Sequence, residues 1–456
     1  MLRCSLSYRI PLAAYILRGT VRHIFRRTPK GRTLLQTLTI QLLKLVMSLR
    51  VTNVAQTRKL MNFSNGVVHL RSGTLTQKSR SQWATKVKGH GWEGYWIPFK
   101  NQNTASKAQL QAQHAKKVSL ADVGADCDIV MFAIHGDALM WLTCYRSWMK
   151  LLHQKHNVKI GVLSVEYKTK FPGALNECVA AYRHLVEHQG IDPKRIVMCG
   201  DSAGGNLCLT TALKLRDDYP HIPLPAGQVL FSPFVPCPQP FKDSPDDYIT
   251  HYGGQMFVEG YTQNLVKIQT SPYFSPINAP SLAGLPKQLI YIGGVEALRP
   301  SIERYVNKAR ADGVEVQDIM KEGMAHDYCL IEEISGRKAM REAEEILAKF
   351  VAQIRNESIG IAIHIRYRMT LLRPHFPVIE NIQERPVVTN RVFGYDEEHD
   401  ANQNREEGTG LAEGRDTDTA EGRDADIAGN DSAVDEVRAV EKDTGSIDAG
   451  LDTSPS

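Results

Sequence analysis

Short apolar runs alternate with stretches of helical periodicity between residues 95 and 357. Apolar runs bounded by turn signals indicate buried strands, and apolar positions every three or four residues indicate helices. The predicted strands are 128–133, 159–165, 195–199, 227–231, 288–292 and 314–320. The predicted helices are 172–190, 203–215, 300–312 and 336–354. This alternation predicts an α/β fold with a mostly parallel central sheet covered by helices on both faces.

Residues 33–49 have the pattern of an amphipathic helix outside this alternation. Its apolar positions follow helical spacing at Leu35, Leu38, Leu42, Leu45, Val46 and Leu49. A segment of this length that includes Lys44 and two glutamines is too short and too polar for a membrane span. Two compatible interpretations remain open: the helix binds an anionic membrane surface, or it packs onto the main domain as part of a lid.

The pattern weakens beyond residue 358. Isoleucines alternate with basic residues between Ile361 and Met369, which predicts either an edge strand or a second basic surface segment. After Tyr395 there are no aromatic residues and few large aliphatic ones, so disorder is predicted there. The predicted organisation is a basic segment with helix and lid at 1–92, an α/β domain at 93–357, a basic extension at 358–394 and an acidic disordered tail at 395–456.

Charge is distributed unevenly along the chain, although the net charge is only +5. Residues 1–92 contain seventeen Lys or Arg and no acidic residue, and residues 395–456 carry a net −14, which leaves the middle at +2. A basic head beside an amphipathic helix favours a membrane surface as a partner. Residues 1–92 have no recognisable nucleic-acid-binding fold, so nucleic acid is not predicted as a partner.

The first thirty residues suggest no single destination. The apolar run from Ile10 to Leu17 is too short to span a bilayer and is interrupted by Pro11. It lacks a clean small-residue cleavage site, which disfavours a signal peptide, whereas a mitochondrial presequence would share its Arg-rich, acid-free composition.

The eight cysteines form no CxxC pair and no zinc-like Cys/His spacing. Neither a disulfide scaffold nor a metal site is predicted, and no cofactor is predicted.

The strongest chemical signal is the run GDSAGGN at 200–206, which lies between a predicted strand and a predicted helix. A G-x-S-x-G sequence in this context is typical of a nucleophile elbow, which lifts a serine hydroxyl above the sheet. Ser202 is predicted to be the nucleophile, and Gly200, Gly204 and Gly205 are predicted to permit the tight turn. A phosphate loop is the competing interpretation, but the chain lacks the lysine that such a loop requires.

The partners of this serine are expected downstream of the elbow. A serine hydroxyl needs a base, the base needs an orienting carboxylate, and the acid precedes the histidine along the chain. Glu296 and His326 each follow a predicted strand, so Ser202, Glu296 and His326 are the predicted triad. Asp318 and Asp327 are the rival acids, but Asp318 lies within a strand, and Asp327 is adjacent to the histidine and poorly placed to orient it.

Attack on a carbonyl group creates negative charge that preorganised donors must stabilise. One predicted donor is the backbone N–H of Ala203, the residue after the nucleophile. The others are expected in the loop His135-Gly136-Asp137-Ala138, after the first predicted strand, with Gly136 and Asp137 supplying backbone N–H groups.

These motifs resemble those of the hormone-sensitive-lipase branch of the α/β-hydrolases. The resemblance is carried by GDSAGGN, by the upstream His-Gly pair and by GMAHDY around His326. Residues 171–207 and 271–299 are most similar to the fungal steryl acetyl hydrolase group, within a likeness that spans about 95–355.

The resemblance implies an α/β-hydrolase fold in which N-terminal residues form a lid. It implies hydrolysis of a carboxylic ester in an acylated lipophilic molecule, such as a sterol acetate or a natural-product ester. It places the family's serine, acid and histidine on Ser202, Glu296 and His326. An intracellular location at a membrane, the endoplasmic reticulum, is also implied.

Asp137 departs from the family pattern, which has HGGG where this chain has His-Gly-Asp-Ala. A carboxylate beside a developing negative charge is unfavourable unless it points away or is protonated. The alternative hypothesis is therefore a non-catalytic member of the fold that binds a hydrophobic ligand or acts as a scaffold.

Overall fold

The computed structural model describes residues 6–48, 84–99, 123–136, 141–168, 170–236, 242–263 and 266–372. Asp137, the tail predicted at 395–456 and most of the extension predicted at 358–394 lie outside these residues.

One mixed sheet organises the described part of the chain, with the strand order β1-β2-β4-β3-β5-β6-β7-β8. The strands are β1 Thr85–Gly89, β2 Trp92–Ile97, β3 Ile129–Ile134, β4 Ile160–Glu166, β5 Ile196–Asp201, β6 Gly227–Phe231, β7 Lys287–Gly293 and β8 Val316–Lys321. The first two strands form an antiparallel hairpin at one edge, and every pair from β4 to β8 is parallel.

Helices connect and flank the strands. They are α1 Leu6–Ile24, α2 Leu34–Met47, α3 Trp141–His156, α4 Gly173–Arg183, α5 Ser202–Asp218, α6 His251–Thr262, α7 Val266–Gln269, α8 Arg299–Ala311, α9 Glu332–Ser335 and α10 Arg337–Leu372. The central strands β3 and β5 are buried at every position, which requires cover on both faces of the sheet. The predicted α/β class and the predicted strands and helices are confirmed.

The sheet begins earlier than the predicted boundary at residue 93. Strand β1 lies within the segment predicted as 1–92, and β2 begins at Trp92. Only Val87 is buried among the five residues of β1, because Lys86 and Lys88 point to solvent at this edge of the sheet. A strand with one buried side chain leaves almost no apolar run in the sequence.

Residues 361–369 belong to a helix, so the edge-strand interpretation is wrong. Helix α10 begins at Arg337 and continues without interruption to Leu372. The alternation of isoleucines also contains residues four apart, Ile361, Ile365 and Met369, which suits a helix equally well. No proline occurs between the start of α10 at Arg337 and Pro374, so the helix can propagate through this segment.

Helix α2 confirms the helix predicted over 33–49, and its N-terminus is closed by a capping box between Thr33 and Gln36. Its buried face differs from the predicted stripe. Ile40 and Leu43 are buried, whereas Leu35 is 55% exposed. The buried face differs because of a tertiary contact. Gln41 is buried on the packed face, where its side-chain amide donates to the carbonyl oxygen of Pro245 at 3.2 Å. The packing interpretation of this helix is therefore what the structure shows.

Helix α1 packs against α2 at Gly19, where a Cβ atom would lie 3.0 Å from Cγ of Gln41. We refer to residues 6–48, which contain both helices, as the N-terminal arm. None of the helices that the structure describes is long and apolar enough to cross a membrane.

The burial of α2 predicts how two of its residues differ in their effect on stability. Ile40→Ala should lower the free energy of unfolding by about 2–5 kcal/mol, because it leaves a cavity at a fully buried position. Leu35→Ala, the matched control on the exposed side, should change it by no more than about 0.5 kcal/mol. Denaturant unfolding measures both, and equal losses would contradict the packing of α2.

Candidate active site

The predicted site residues meet at the carboxyl edge of the parallel strands. Ser202 directly follows β5, Glu296 follows β7, and His326 follows β8. In open parallel sheets this edge is where ligands bind, because the loops that leave neighbouring strands converge there. The topology thus brings together three residues that are far apart in the sequence.

Ser202 occupies a strained backbone position between β5 and α5. Its φ is +46°, in the left-handed region that side-chain-bearing residues rarely adopt. A Cβ atom at Gly204 would collide with the carbonyl oxygen of Ile134, and one at Gly200 would collide with the Gly204 carbonyl. These two glycines therefore allow β3, β5 and α5 to approach closely, and the half-buried Ser202 itself carries the strain of the turn.

Glu296 and His326 form a buried pair. Oε2 of Glu296 lies 3.0 Å from Nδ1 of His326, and both side chains are almost completely buried. The other carboxylate oxygen, Oε1, accepts the backbone N–H of Gly293 at 3.1 Å, and Ser232 also hydrogen-bonds this carboxylate. Burial raises the pKa of Glu296, while its hydrogen bond with His326 opposes that rise.

The second ring nitrogen of His326 faces a different carboxylate. Nε2 lies 3.2 Å from Oδ2 of Asp327, which has a positive φ of +52°. The remaining oxygen, Oδ1, is buried and has no hydrogen-bond partner among the described residues. Asp327 is thus placed at the ring nitrogen opposite the one that contacts Glu296. The other rival acid, Asp318, lies on β8 and pairs with Arg310 of α8.

These carboxylates control the protonation of the imidazole. Burial alone would lower the pKa of His326, but Asp327, Glu296 and Asp247 together raise it to about 10. Burial also raises the pKa of Asp327 well above its usual range. Both shifts keep a proton on the His326–Asp327 pair. In the described part of the chain, no hydrogen bond joins Oγ of Ser202 to His326.

The loop predicted to supply oxyanion donors is fixed at its start. The backbone N–H of Gly136 donates to Oδ1 of Asp201 at 2.5 Å, and a Cβ at position 136 would clash with the same carboxylate. The hydroxyl of Tyr167 donates to the carbonyl oxygens of His135 and Gly136, at 2.6 and 3.0 Å. Ala203 lies in the first turn of α5, where helix N–H groups are free to bind an anion.

Asp247 is a site residue that the sequence did not reveal. Its fully buried carboxylate accepts the backbone N–H of Ala297 at 2.8 Å and that of His326 at 2.9 Å. It lies in an irregular segment, DSPDDYIT, where periodicity carries no signal. The adjacent acidic residues Asp246 and Asp247 are the only hint in the sequence, and exposed acids are far more common than buried ones.

The described residues contain no group of side chains suited to a metal ion. Six cysteines in this part of the chain are free and buried, and burial raises the pKa of Cys127 to about 11. Such thiols are inert core residues.

A family model described as the alpha/beta hydrolase fold matches residues 132–330. The chain is 28% identical to an esterase of Acinetobacter venetianus over 210 residues, which are 44% of this chain and 67% of that protein. It is also 28% identical over 226 residues to the carboxylic ester hydrolase LipN of Mycobacterium tuberculosis, covering 46% of this chain and 57% of that one. An esterase from the bacterial hormone-sensitive lipase family superposes with a TM-score of 0.52 at 23% identity, over 70% of this chain and 99% of its own.

The sheet order, the strained serine at the end of β5 and the matched family model show that this chain has the α/β-hydrolase fold. Within that fold, the chain is similar in sequence to proteins named as esterases and, over 88 residues, to the hormone-sensitive lipase of Mus musculus. The matched residues include the whole candidate site, whereas the N-terminal arm and the β1–β2 hairpin precede them.

Proposed function

We propose that this carboxylic ester hydrolase uses Ser202, His326 and Glu296 as a catalytic triad. The Oγ atom of Ser202 attacks the ester carbonyl carbon while Nε2 of His326 takes the hydroxyl proton. Glu296 holds the imidazole through Nδ1. The imidazolium then donates its proton to the leaving alcohol oxygen, and a water molecule, activated by the same histidine, releases the acid from the acyl-enzyme.

The buried contact between Glu296 and His326, next to a serine in strained backbone, is the observation that carries this proposal. Removing the imidazole and its acid from solvent fixes one ring orientation, which general base catalysis requires. The backbone N–H groups of Asp137 and Ala203 are the proposed oxyanion donors. The N–H of Gly136, which the sequence also predicts as a donor, is instead bonded to the carboxylate of Asp201. Relatives named as esterases and lipases support the same reaction class.

We propose an acylated lipophilic small molecule as the substrate, such as a sterol acetate or a natural-product ester. An acetyl-hydrolase of Streptomyces hygroscopicus is 42% identical over 78 residues, which are 16% of this chain and 25% of that protein. This short but close match supports an acetyl ester. The resemblance to the fungal steryl acetyl hydrolase group supports a sterol or a similarly apolar alcohol.

Removing the nucleophile tests the reaction. Ser202→Ala should lower kcat for p-nitrophenyl acetate and butyrate by about 10⁴-fold or more, because no acyl-enzyme can form. A panel of sterol acetates, assayed by release of acetate, tests the substrate class. Wild type and Ser202→Ala that hydrolyse esters equally slowly would overturn the proposal and favour the ligand-binding alternative. Asp137→Gly would then be expected to create activity that the wild type lacks.

Asp327 should set the acid limb of the pH profile. A base with a pKa of about 10 is protonated at neutral pH, so the fraction able to accept a proton rises as the pH rises. Asp327→Asn removes a negative charge facing Nε2, which lowers the pKa of His326. The acid limb of kcat/KM should therefore move to lower pH, by about 1–3 pH units. Asp318→Asn is the matched control and should leave the limb in place; an unmoved limb in Asp327→Asn contradicts the assignment.

We further propose that the arm binds an anionic lipid surface through α1 rather than through α2. The outward face of α1 is apolar, with Ile16, Leu17, Val21 and Ile24 exposed by 40–67% within an arc of about 140°. The opposite face packs inward. Arg18 on α1 and Arg26, Arg27 and Lys30 in the segment after it are exposed, and no acid occurs in the first 92 residues. Apolar area flanked by cations suits anionic headgroups.

An intracellular location at the endoplasmic reticulum remains a prediction from resemblance.

Vesicle binding tests this surface. The full-length protein should co-sediment with vesicles containing phosphatidylserine and much less with pure phosphatidylcholine. Replacing Arg26 and Arg27 together by Gln should weaken that binding by about 30-fold, at about 1 kcal/mol for each cation. Leu17→Asp should abolish binding, whereas Val266→Asp, at a 70% exposed position on α7, should not. Self-association without lipid that Leu17→Asp abolishes would show instead that a second copy covers this face.

A further inference from the structure

Residues 244–250, which we call the strap, lie between the N-terminal arm and the two loops that carry Glu296 and His326. The strap is the irregular segment SPDDYIT that precedes α6. Its outer residues contact the arm and its inner residue Asp247 contacts the loops.

The inner contact joins two loops that are distant in the sequence. One oxygen of Asp247 accepts the N–H of Ala297, the residue after Glu296, and the other accepts the N–H of His326. Further bonds join the stems of the same loops, from Gly294 to Lys321 and from Val295 to Met324. Asp247 is different because it holds the peptide groups from which the two paired side chains project.

The outer contacts come from the arm. Asp246 forms ion pairs with Arg22 at 2.7 Å and with Arg32 at 3.2 Å. Arg32, 5% exposed, also donates through its second amino group to the carbonyl oxygen of Gly323 at 2.7 Å. One guanidinium therefore bridges the strap and the loop that leads into His326.

Helix α2 adds three hydrogen bonds to the strap. Lys44 donates to the carbonyl of Ser244, Gln41 to that of Pro245, and the hydroxyl of Thr250 donates to the carbonyl of Met47. The arm thus contacts the strap on both sides of Asp247.

We propose that Asp247 is a positioning residue for the reaction and that Arg32 holds the strap in register, so that the N-terminal arm forms part of the catalytic apparatus. This inference rests on the proposed triad. The 3.0 Å contact between Glu296 and His326 requires both loops to stay in place, and a small shift of reacting groups lowers turnover more than it lowers substrate binding.

Four substitutions in the full-length protein test the inference: Asp247→Asn and Arg32→Met, with Arg32→Lys and Arg195→Met for comparison. Asp247→Asn keeps the shape but turns one acceptor into a donor that faces an N–H group, and kcat should fall by about 100-fold. Arg32→Met should lower kcat by about 2- to 30-fold with KM within twofold of wild type. Arg32→Lys should have an intermediate kcat, because an ammonium group cannot bridge Asp246 and Gly323 as a fork does.

Arg195→Met is the matched control. Arg195 is also partly buried and donates to the carbonyl oxygens of Gly124, Cys127 and Asp128, but it lies at the opposite end of β5 from Ser202. Arg195→Met and Arg32→Met should both lower the melting temperature, and only Arg32→Met should lower kcat.

Three results separate the inference from the function on which it rests. An active wild type whose Ser202→Ala variant is inactive, together with unchanged kcat in Arg32→Met, would overturn the role of the arm. A fall in kcat that Arg195→Met shares would also overturn it, since loss of stability would then explain the effect. If Asp247→Asn fails to fold, the comparison of Arg32→Met with Arg195→Met decides. A wild type without Ser202-dependent activity would overturn the proposed function itself.

Discussion

The burial of four carboxylates at the strand ends, three of them acting on one imidazole, is the constraint on which the rest of the site depends. A buried carboxylate is costly unless hydrogen bonds or an opposite charge compensate for lost hydration. Three of the four are satisfied by backbone N–H groups: Asp201 by Gly136, Asp247 by Ala297 and His326, and Glu296 by Gly293. Because those donors belong to loops at the strand ends, the same bonds that satisfy the acids fix the loops. The same hydrogen bonds therefore both compensate for the burial of the charges and set the geometry of the site.

Asp327 is the exception among these carboxylates. Its side chain contacts the imidazole through Oδ2, while Oδ1 has no hydrogen-bond partner in the described part of the chain. It is thus held mainly by the histidine on which it acts. In the proposed mechanism the hydroxyl of Ser202 must compete with Asp327 for Nε2, and the acid with the fewest bonds is the one that can move at least cost.

The fold and the order of the proposed triad could be predicted from the sequence because both follow from the parallel sheet. Its buried strands appear as apolar runs, and the residues after them must meet at one edge. The packed face of α2 could not be predicted in the same way. Gln41 is buried there by a carbonyl partner some 200 residues away, whereas Leu35 points outward. Asp247 escaped prediction for a similar reason, because its role is set by backbone N–H groups that only the folded chain brings together. The sequence suggests Asp327 only as an orienting acid. In the structure its backbone is left-handed, and its carboxylate contacts Nε2 of His326, opposite the nitrogen that contacts Glu296.

The charge asymmetry of the chain acquires a structural meaning in the arm. Since residues 1–92 contain no acid, every cation of the arm must find a partner elsewhere or remain hydrated. Arg22 and Arg32 turn inward to Asp246, at low exposure, where their attraction is little screened. Arg18, Arg26, Arg27 and Lys30 are exposed, on the helix that carries the exposed apolar residues or in the segment after it. The arm is consequently two-sided: some of its cations contact the strap and others are hydrated. In the two proposals made for the arm, the first group positions the catalytic loops and the second binds an anionic surface, so one basic segment would connect that surface to the site without contributing a catalytic group of its own.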